Sequence, residues 1–346
     1  MESGSDWPAD WTGSAAVPIG VDEAFNGYVA AQIVFALDRL GLLAELLEHG
    51  QVDVHAAAVR IGADQRMLGE LLRAAQACGY LVLRDGEAAI TPAGRDMAFM
   101  RGYFTWSVGG YAGLFSNIAG LVRGERRFGS DTFRDEAMVA LGSGQNDRAF
   151  MAHTVDEVLG QLDFTVIADL GSGISARLCR VAAAHEGVRG VGLDISGDAT
   201  RLAQDSIRQA GFDKDVQALQ ADVLSVIKGT ERYPVLAEVD AVMSFFLLHD
   251  LLADADTRPR VIPGLREAFP KARTFVLADT MLRPAQPADA TLPVFSAGYE
   301  LAHALMGVPL HTKDTYEALF AQAGLRTRQV LPFGTPHSWL YVLDAD

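Results

Sequence analysis

The chain has 346 residues, of which 49% are hydrophobic and 21% charged, a composition that supports a sizeable core and excludes a disordered chain. A formal charge of −15 repels phosphate backbones and argues against nucleic acid as a partner. Two cysteines, Cys78 and Cys179, make neither a disulfide framework nor a CxxC pair and fit a reducing, cytoplasmic setting.

Residues 1–20, "MESGSDWPADWTGSAAVPIG", are acidic and lack an apolar core, so they read as a flexible arm rather than a signal peptide. No apolar run reaches the roughly 18 residues of a membrane span. From Ala24 to Leu47 apolar residues recur at helical spacing with a break at Gly41. A helix, a turn at Gly62-Ala63-Asp64, a second helix from Gln65 to Cys78 capped by Gly79, and a hairpin around Asp85-Gly86 follow. Helix-turn-helix plus hairpin predicts a winged helix over 21–100. Its basic residues are too scattered to form a stripe, so packing and dimerisation are favoured over DNA binding. The runs "YVAAQIVFAL" and "YFTWSVGGYAGLF" need cover, which predicts a two-fold homodimer. Residues 101–164 read as a helical connector.

The pattern changes at Thr165. "TVIADLGSG", "VRGVGLDIS", "VQALQADVL", "VDAVMSFFLLHD" and "RTFVLADT" are apolar runs separated by helical segments. That alternation predicts an α/β fold over 165–346, a doubly wound parallel sheet, with the tail "GLRTRQVLPFGTPHSWLYVLDA" adding an antiparallel edge. In "DLGSG", Gly171 and Gly173 allow a tight turn and close approach of a ligand to the backbone. Asp194 closes the second strand, where a carboxylate can accept both ribose hydroxyls, and Asp222 closes the third.

A DLGSG turn with acids closing strands two and three resembles the class I S-adenosylmethionine-dependent methyltransferases, and a winged helix before it resembles the small-molecule O-methyltransferases. The resemblance implies a Rossmann-like sheet, S-adenosylmethionine as cofactor, and cofactor contacts from Asp169, Gly171, Gly173, Asp194, Ile195, Asp222, Val223 and Ser244. It also implies that the connector lines the substrate pocket. In O-methyltransferases of this build the histidine closing strand four, here His249 in "MSFFLLHDLL", is the base for a phenol proton.

A second reading rests on "LPVFSAGYELAHALMGVPL", residues 292–310. At about 100° per residue, Phe295, Tyr299, His303 and Met306 share one helix face. Together with "FFLLHDLL", this segment resembles the metal-dependent 2-oxoacid C-methyltransferases, such as the phenylpyruvate type of peptide-antibiotic pathways. The resemblance implies one zinc or iron ion on His249 and His303, and Arg127 of "ERRFGSDTFRD" pairing with the substrate carboxylate; Asp250 orients a ligand or takes the C3 proton, and the base stays open between Asp250, a metal-bound hydroxide and an unmetallated His249. His153 either completes a three-histidine site, which favours zinc, or is a packed side chain. Arg127 is otherwise a surface charge. His311 is a weaker ligand candidate, and His49, His55, His185 and His337 read as surface or loop residues. A 2-oxoacid can chelate the ion through its ketone and carboxylate, and polarising the ketone acidifies C3 for attack on the methyl. Phe245, Phe246, Phe295, Tyr299 and Met306 suggest an apolar pocket for 4-methyl-2-oxopentanoate or phenylpyruvate. 2-Ketoarginine fits less well, although Glu300 offers a partner for its cation. Two alternatives stay open: a metal-free O-methyltransferase with His249 as base, and a winged-helix regulator that senses the cofactor.

Overall fold

The computed structural model of the chain describes residues 17–285 and 290–345. The arm expected at 1–20 lies mostly outside the described residues. The chain divides into two compact units. One runs to Phe150 and takes in residues 290–292; the other comprises Met151–Ala285 and the chain from Pro293 onward.

The first unit opens with the helix Val21–Arg39, and Gly41, at φ 76°, turns the chain into a second helix, Leu42–His49. Strand β1 (Gln51–Asp53) leads to the helices Val54–Ile61 and Gln65–Ala77. Asp53 and Asp64 cap them by accepting from the backbone N–H of Ala56 and Met67. Strands β2 (Leu81–Arg84) and β3 (Glu87–Ile90) form the expected hairpin. Asp85 and Gly86 both take positive φ, as a two-residue turn matched to strand twist requires. The sheet order is β1-β3-β2, and Leu37, Leu46, Leu72, Ala75 and Ala88 are buried in this unit's core. This is the arrangement of a winged helix. The early turns of the helix Val21–Arg39 leave Val21, Phe25 and Tyr28 largely exposed. The connector is less regular than its sequence suggests: short helices alternate with wide π-type turns at Thr105–Gly110 and Asp147–Met151. Its last helix, Ala152–Leu159, belongs to the second unit.

The second unit is built on β4 (Val166–Leu170), β5 (Arg189–Asp194), β6 (Val216–Gln220), β7 (Ala241–Phe245), β8 (Thr274–Thr280), β9 (Leu325–Pro332) and β10 (Ser338–Ala345). Their order is β6-β5-β4-β7-β8-β10-β9, parallel from β6 to β8, with β10 antiparallel to both neighbours. Every residue of β4, β7 and β8 is buried, because helices cover both faces of a parallel sheet. The chain winds outward from β4 to β6 and then returns to place β7 on the other side of β4. In open sheets of this kind ligands bind at such a reversal, beyond the carboxyl ends of the strands, here β4 and β7.

Candidate active site

The glycine turn follows β4. Gly171 and Gly173 sit at φ 72° and 52°, and the N–H groups of Gly171 and Ser172 both donate to the Leu193 carbonyl, at 2.8 and 3.0 Å. Asp194, ending β5, accepts from the N–H of Gly173 and of Ser196, each at 2.9 Å. Each carboxylate oxygen has a second acceptor site, so two hydroxyls can still be received. Ile195 beside it is 70% exposed, an apolar surface next to an acceptor pair. Asp222 caps the short helix Val223–Ile227, holding the Leu224 N–H and the Ser225 hydroxyl at 2.9 and 2.8 Å, with Val223 buried beneath. Ser244 is fully buried within β7, its hydroxyl 3.4 Å from the Leu170 carbonyl. Asp169 is buried near the end of β4, 3.6 Å from the Arg177 guanidinium.

Beyond β7, Phe246 takes φ 55°, a left-handed conformation that costs an aromatic residue about 1–2 kcal/mol. Its N–H is tied to the Ala278 carbonyl at 2.8 Å, and the chain then enters the one-turn helix Leu248–Leu251. That bend lays His249 against the end of β8. There the buried Asp279 gathers four donors: the His249 N–H at 2.7 Å, the His249 ring Nδ1 at 2.8 Å, the Thr280 N–H at 2.8 Å and the Tyr316 hydroxyl at 2.9 Å. Burial, reinforced by the Asp279 carboxylate, holds the Tyr316 phenol well above its ordinary value, so it stays a proton donor. With Nδ1 donating to Asp279, Nε2 of His249 carries the lone pair.

His303 repeats the device. Its Nδ1 donates to the Tyr299 carbonyl at 2.8 Å, which leaves Nε2 as the acceptor nitrogen. The two buried imidazoles lie 4.7 Å apart between ring centroids, nearly perpendicular at 88°. Tyr299 packs against His303, the ring centroids 3.9 Å apart and the planes tilted by 36°, and brings its hydroxyl to 3.3 and 3.4 Å from the His249 ring nitrogens. Phe295, at φ 74° before the helix Ser296–Met306, packs 4.9 Å from Tyr299, and Met306 at the far end is half-buried. Asp250 reaches 3.6 Å from His249 Nε2 and is 39% exposed on its side chain. Two imidazoles anchored at Nδ1, each with Nε2 as acceptor, form a donor pair that suits zinc or iron.

Other candidates stand elsewhere. His153 is exposed and pairs with Glu157 one turn along its helix. Among the described residues no group of three or more His, Cys, Asp or Glu side chains is placed to hold a metal. The three-histidine option is therefore not the arrangement found. His311 is occupied, 3.2 Å from the Leu252 carbonyl, and burial depresses its pKa. His337, expected on the surface or in a loop, lies half-buried in the turn before β10 at φ 59°, and enclosure likewise lowers its pKa. Arg127 is exposed and belongs to the first unit, its N–H held by Asp131. Glu300 is engaged by Arg283 at 3.0 Å. Phe245 lies under the Arg177 guanidinium at 3.8 Å and against Phe333 at 5.7 Å. The open groove at the other end of the sheet, lined by Thr165, Asp240, Lys271 and Arg273, gathers none of these groups.

Sequence reasoning missed Asp279, Tyr316, Arg177 and Phe333. Asp279 carried a usable signal: "FVLAD" ends a buried run in an acid, as "VIAD" does at Asp169. Tyr316, in the polar helix Lys313–Gln322, carried none.

No family model matches the chain. It is 28% identical over 325 residues to a methyltransferase of Aspergillus campestris, covering 91% of this chain and 93% of the other. It is 26% identical over 312 residues to the 2-ketoarginine methyltransferase of Streptomyces arginensis, covering 88% of each. Its fold is similar to that of PigF solved with SAH, with a TM-score of 0.68 and 21% identity over 94% of this chain and 99% of that one. The chain is an S-adenosylmethionine-dependent methyltransferase. The methyltransferase keeps its glycine turn, Asp169 near the end of β4, Asp194 ending β5, Asp222 just beyond β6, and the histidine pair all at one end of one sheet.

Proposed function

We propose that this methyltransferase moves the methyl of S-adenosylmethionine to C3 of a 2-oxoacid. The observation that carries the reading is the perpendicular His249–His303 pair, both rings anchored through Nδ1 with Nε2 as acceptor. A base needs one histidine; a second, buried beside it on a neighbouring helix and anchored in the same tautomer, suits a shared ligand. His249 and His303 would hold zinc or iron, which when bound supplies Lewis acidity toward the ketone. Asp194 receives the ribose hydroxyls, Asp222 reads the adenine side, and Ile195 and Val223 cover the base. Asp250, beside His249, takes the C3 proton. Phe245, Phe295, Tyr299 and Met306 wall the side-chain pocket.

The side chain is apolar in this reading, branched aliphatic as in 4-methyl-2-oxopentanoate or aromatic as in phenylpyruvate, and the product is a precursor for peptide-antibiotic assembly. Glu300, the acid on the helix that carries His303, is already neutralised by Arg283, which disfavours a cationic side chain. The likeness to a 2-ketoarginine methyltransferase supports the 2-oxoacid class.

A second reading, O-methylation with His249 as base, is favoured by the Asp279–His249 pair, since a buried carboxylate stabilises the imidazolium that forms on proton uptake. One experiment separates them. With cofactor carrying a labelled methyl, the label should appear on carbon in the product of an apolar 2-oxoacid. Excess chelator and His303→Ala should each stop the reaction while S-adenosylhomocysteine affinity holds. Full activity in chelator, with the label on oxygen, would overturn C-methylation in favour of the histidine base.

A further inference from the structure

Arg177 occupies a position that the reading above leaves unused. It lies in the first turn of the helix Ala176–Ala184, directly after the glycine turn. A cation there opposes the helix macrodipole, and that turn holds no acidic residue to offset it. Its guanidinium is nevertheless drawn inward, its side chain only 16% exposed. NH1 lies 3.6 Å from the Asp169 carboxylate, itself 1% exposed, and Cζ lies 3.8 Å from the centre of the Phe245 ring. Asp169 belongs to β4 and Phe245 ends β7, so the guanidinium sits at the carboxyl ends of the two paired strands where the strand order reverses.

The cofactor has three recognisable parts. Asp194 and Asp222 suit its nucleoside, and the methyl must reach the neighbourhood of His249, just past β7. The methionine part, with its carboxylate and ammonium, then falls between β5 and β7, over β4. A buried guanidinium in this place meets an anion on terms that water does not weaken, and its planar fork matches a carboxylate. We infer that Arg177, positioned by Asp169 and braced on Phe245, binds the carboxylate of the methionine end of S-adenosylmethionine. Because Phe245 also packs on Phe333, and Phe246 stacks on the same ring at 5.8 Å, seating of the carboxylate bears on an aromatic wall next to His249.

The inference concerns cofactor binding alone and holds for C- or O-methylation. It is tested by calorimetry with S-adenosylmethionine and its decarboxylated analogue, which keeps the nucleoside, sulfonium and amine. The wild-type chain should favour the carboxylate-bearing ligand by about 10- to 100-fold, the range of a charge-assisted contact. Arg177→Gln should lose that factor for S-adenosylmethionine and nothing for the analogue. Arg177→Lys, which keeps charge but not the fork, should fall between. Equal weakening of both ligands by Arg177→Gln would make the residue purely structural and overturn the inference. So would a wild-type chain that binds both ligands alike, a result that needs no variant to fold.

Discussion

Asp279 fixes the tautomer of His249, and it does so with a carboxylate that is itself fully employed. Its four donors come from β8, from the turn after β7 and from the helix Lys313–Gln322, so the carboxylate that holds the imidazole is itself fixed from three elements at once. Asp279→Asn would offer an amide in place of the acceptor charge and release the ring. We expect activity to fall by about 10- to 100-fold, as when the support of a ligating histidine is lost, with cofactor affinity unchanged. Unaltered turnover would remove the network from catalysis. Tyr316→Phe deletes one donor and should cost about 0.5–1.5 kcal/mol of stability, read by denaturant unfolding. The phenol also contributes to stability at alkaline pH. Folded Tyr316 keeps its proton above the ordinary value of about 10, whereas the unfolded chain releases it there. Its contribution is thus full below about pH 10 and is lost as pH rises past that point.

At the scale of elements, the site depends on two bends that few residues tolerate. The turn after β4 needs left-handed backbone at Gly171, and an added Cβ there would also press on Leu247 at 3.3 Å. Gly171→Ala should cost about 1–2 kcal/mol and reduce cofactor affinity. Gly187→Ala supplies the control, since Gly187 shares the positive φ, at 79°, but has open space around it. It should lose similar stability and keep full affinity. Equal affinity in the two variants would detach the turn from cofactor binding. The bend after β7 is made by an aromatic residue instead, and its left-handed Phe246 turns the chain so that a side chain four positions past the buried run's Phe245 lies back on β8.

For the whole molecule, the exposed apolar face of the helix Val21–Arg39 matters most. Val21, Phe25 and Tyr28 are 85%, 68% and 67% exposed, a row of large side chains that water solvates poorly. We expect two copies to associate through this first unit, and light scattering should give about twice the chain mass of 37.1 kDa. Phe25→Glu with Tyr28→Glu should yield monomers. A wild-type monomer at micromolar concentration would contradict the dimer. Among the described residues no helix is long and apolar enough to cross a membrane.

The sheet was legible in the sequence because buried parallel strands are continuous apolar runs, and because three of the runs end in the groups read as candidates: "ADLGSG", "GLDIS" and "LLHD". The hairpin at Asp85-Gly86 and the helix carrying Tyr299 and His303 were legible for the same local reason, a turn that demands positive φ and a period of 3.6. What the sequence could not decide was pairing. Nothing in "RAFMAHTVDEVL" says that His153 faces solvent, and nothing in "KDTYEALF" says that Tyr316 reaches Asp279, because local periodicity assigns a face and not the neighbour across it. The strand order β4-β7-β8 brings Asp279 beside His249 across thirty residues of chain, and the helix Ser296–Met306 then lays His303 at right angles to it. Residue types and spacing therefore determined a methyltransferase sheet and most of its candidate groups. Only the packing of separate elements decided which histidines meet, which nitrogen each presents, and where Arg177 is held.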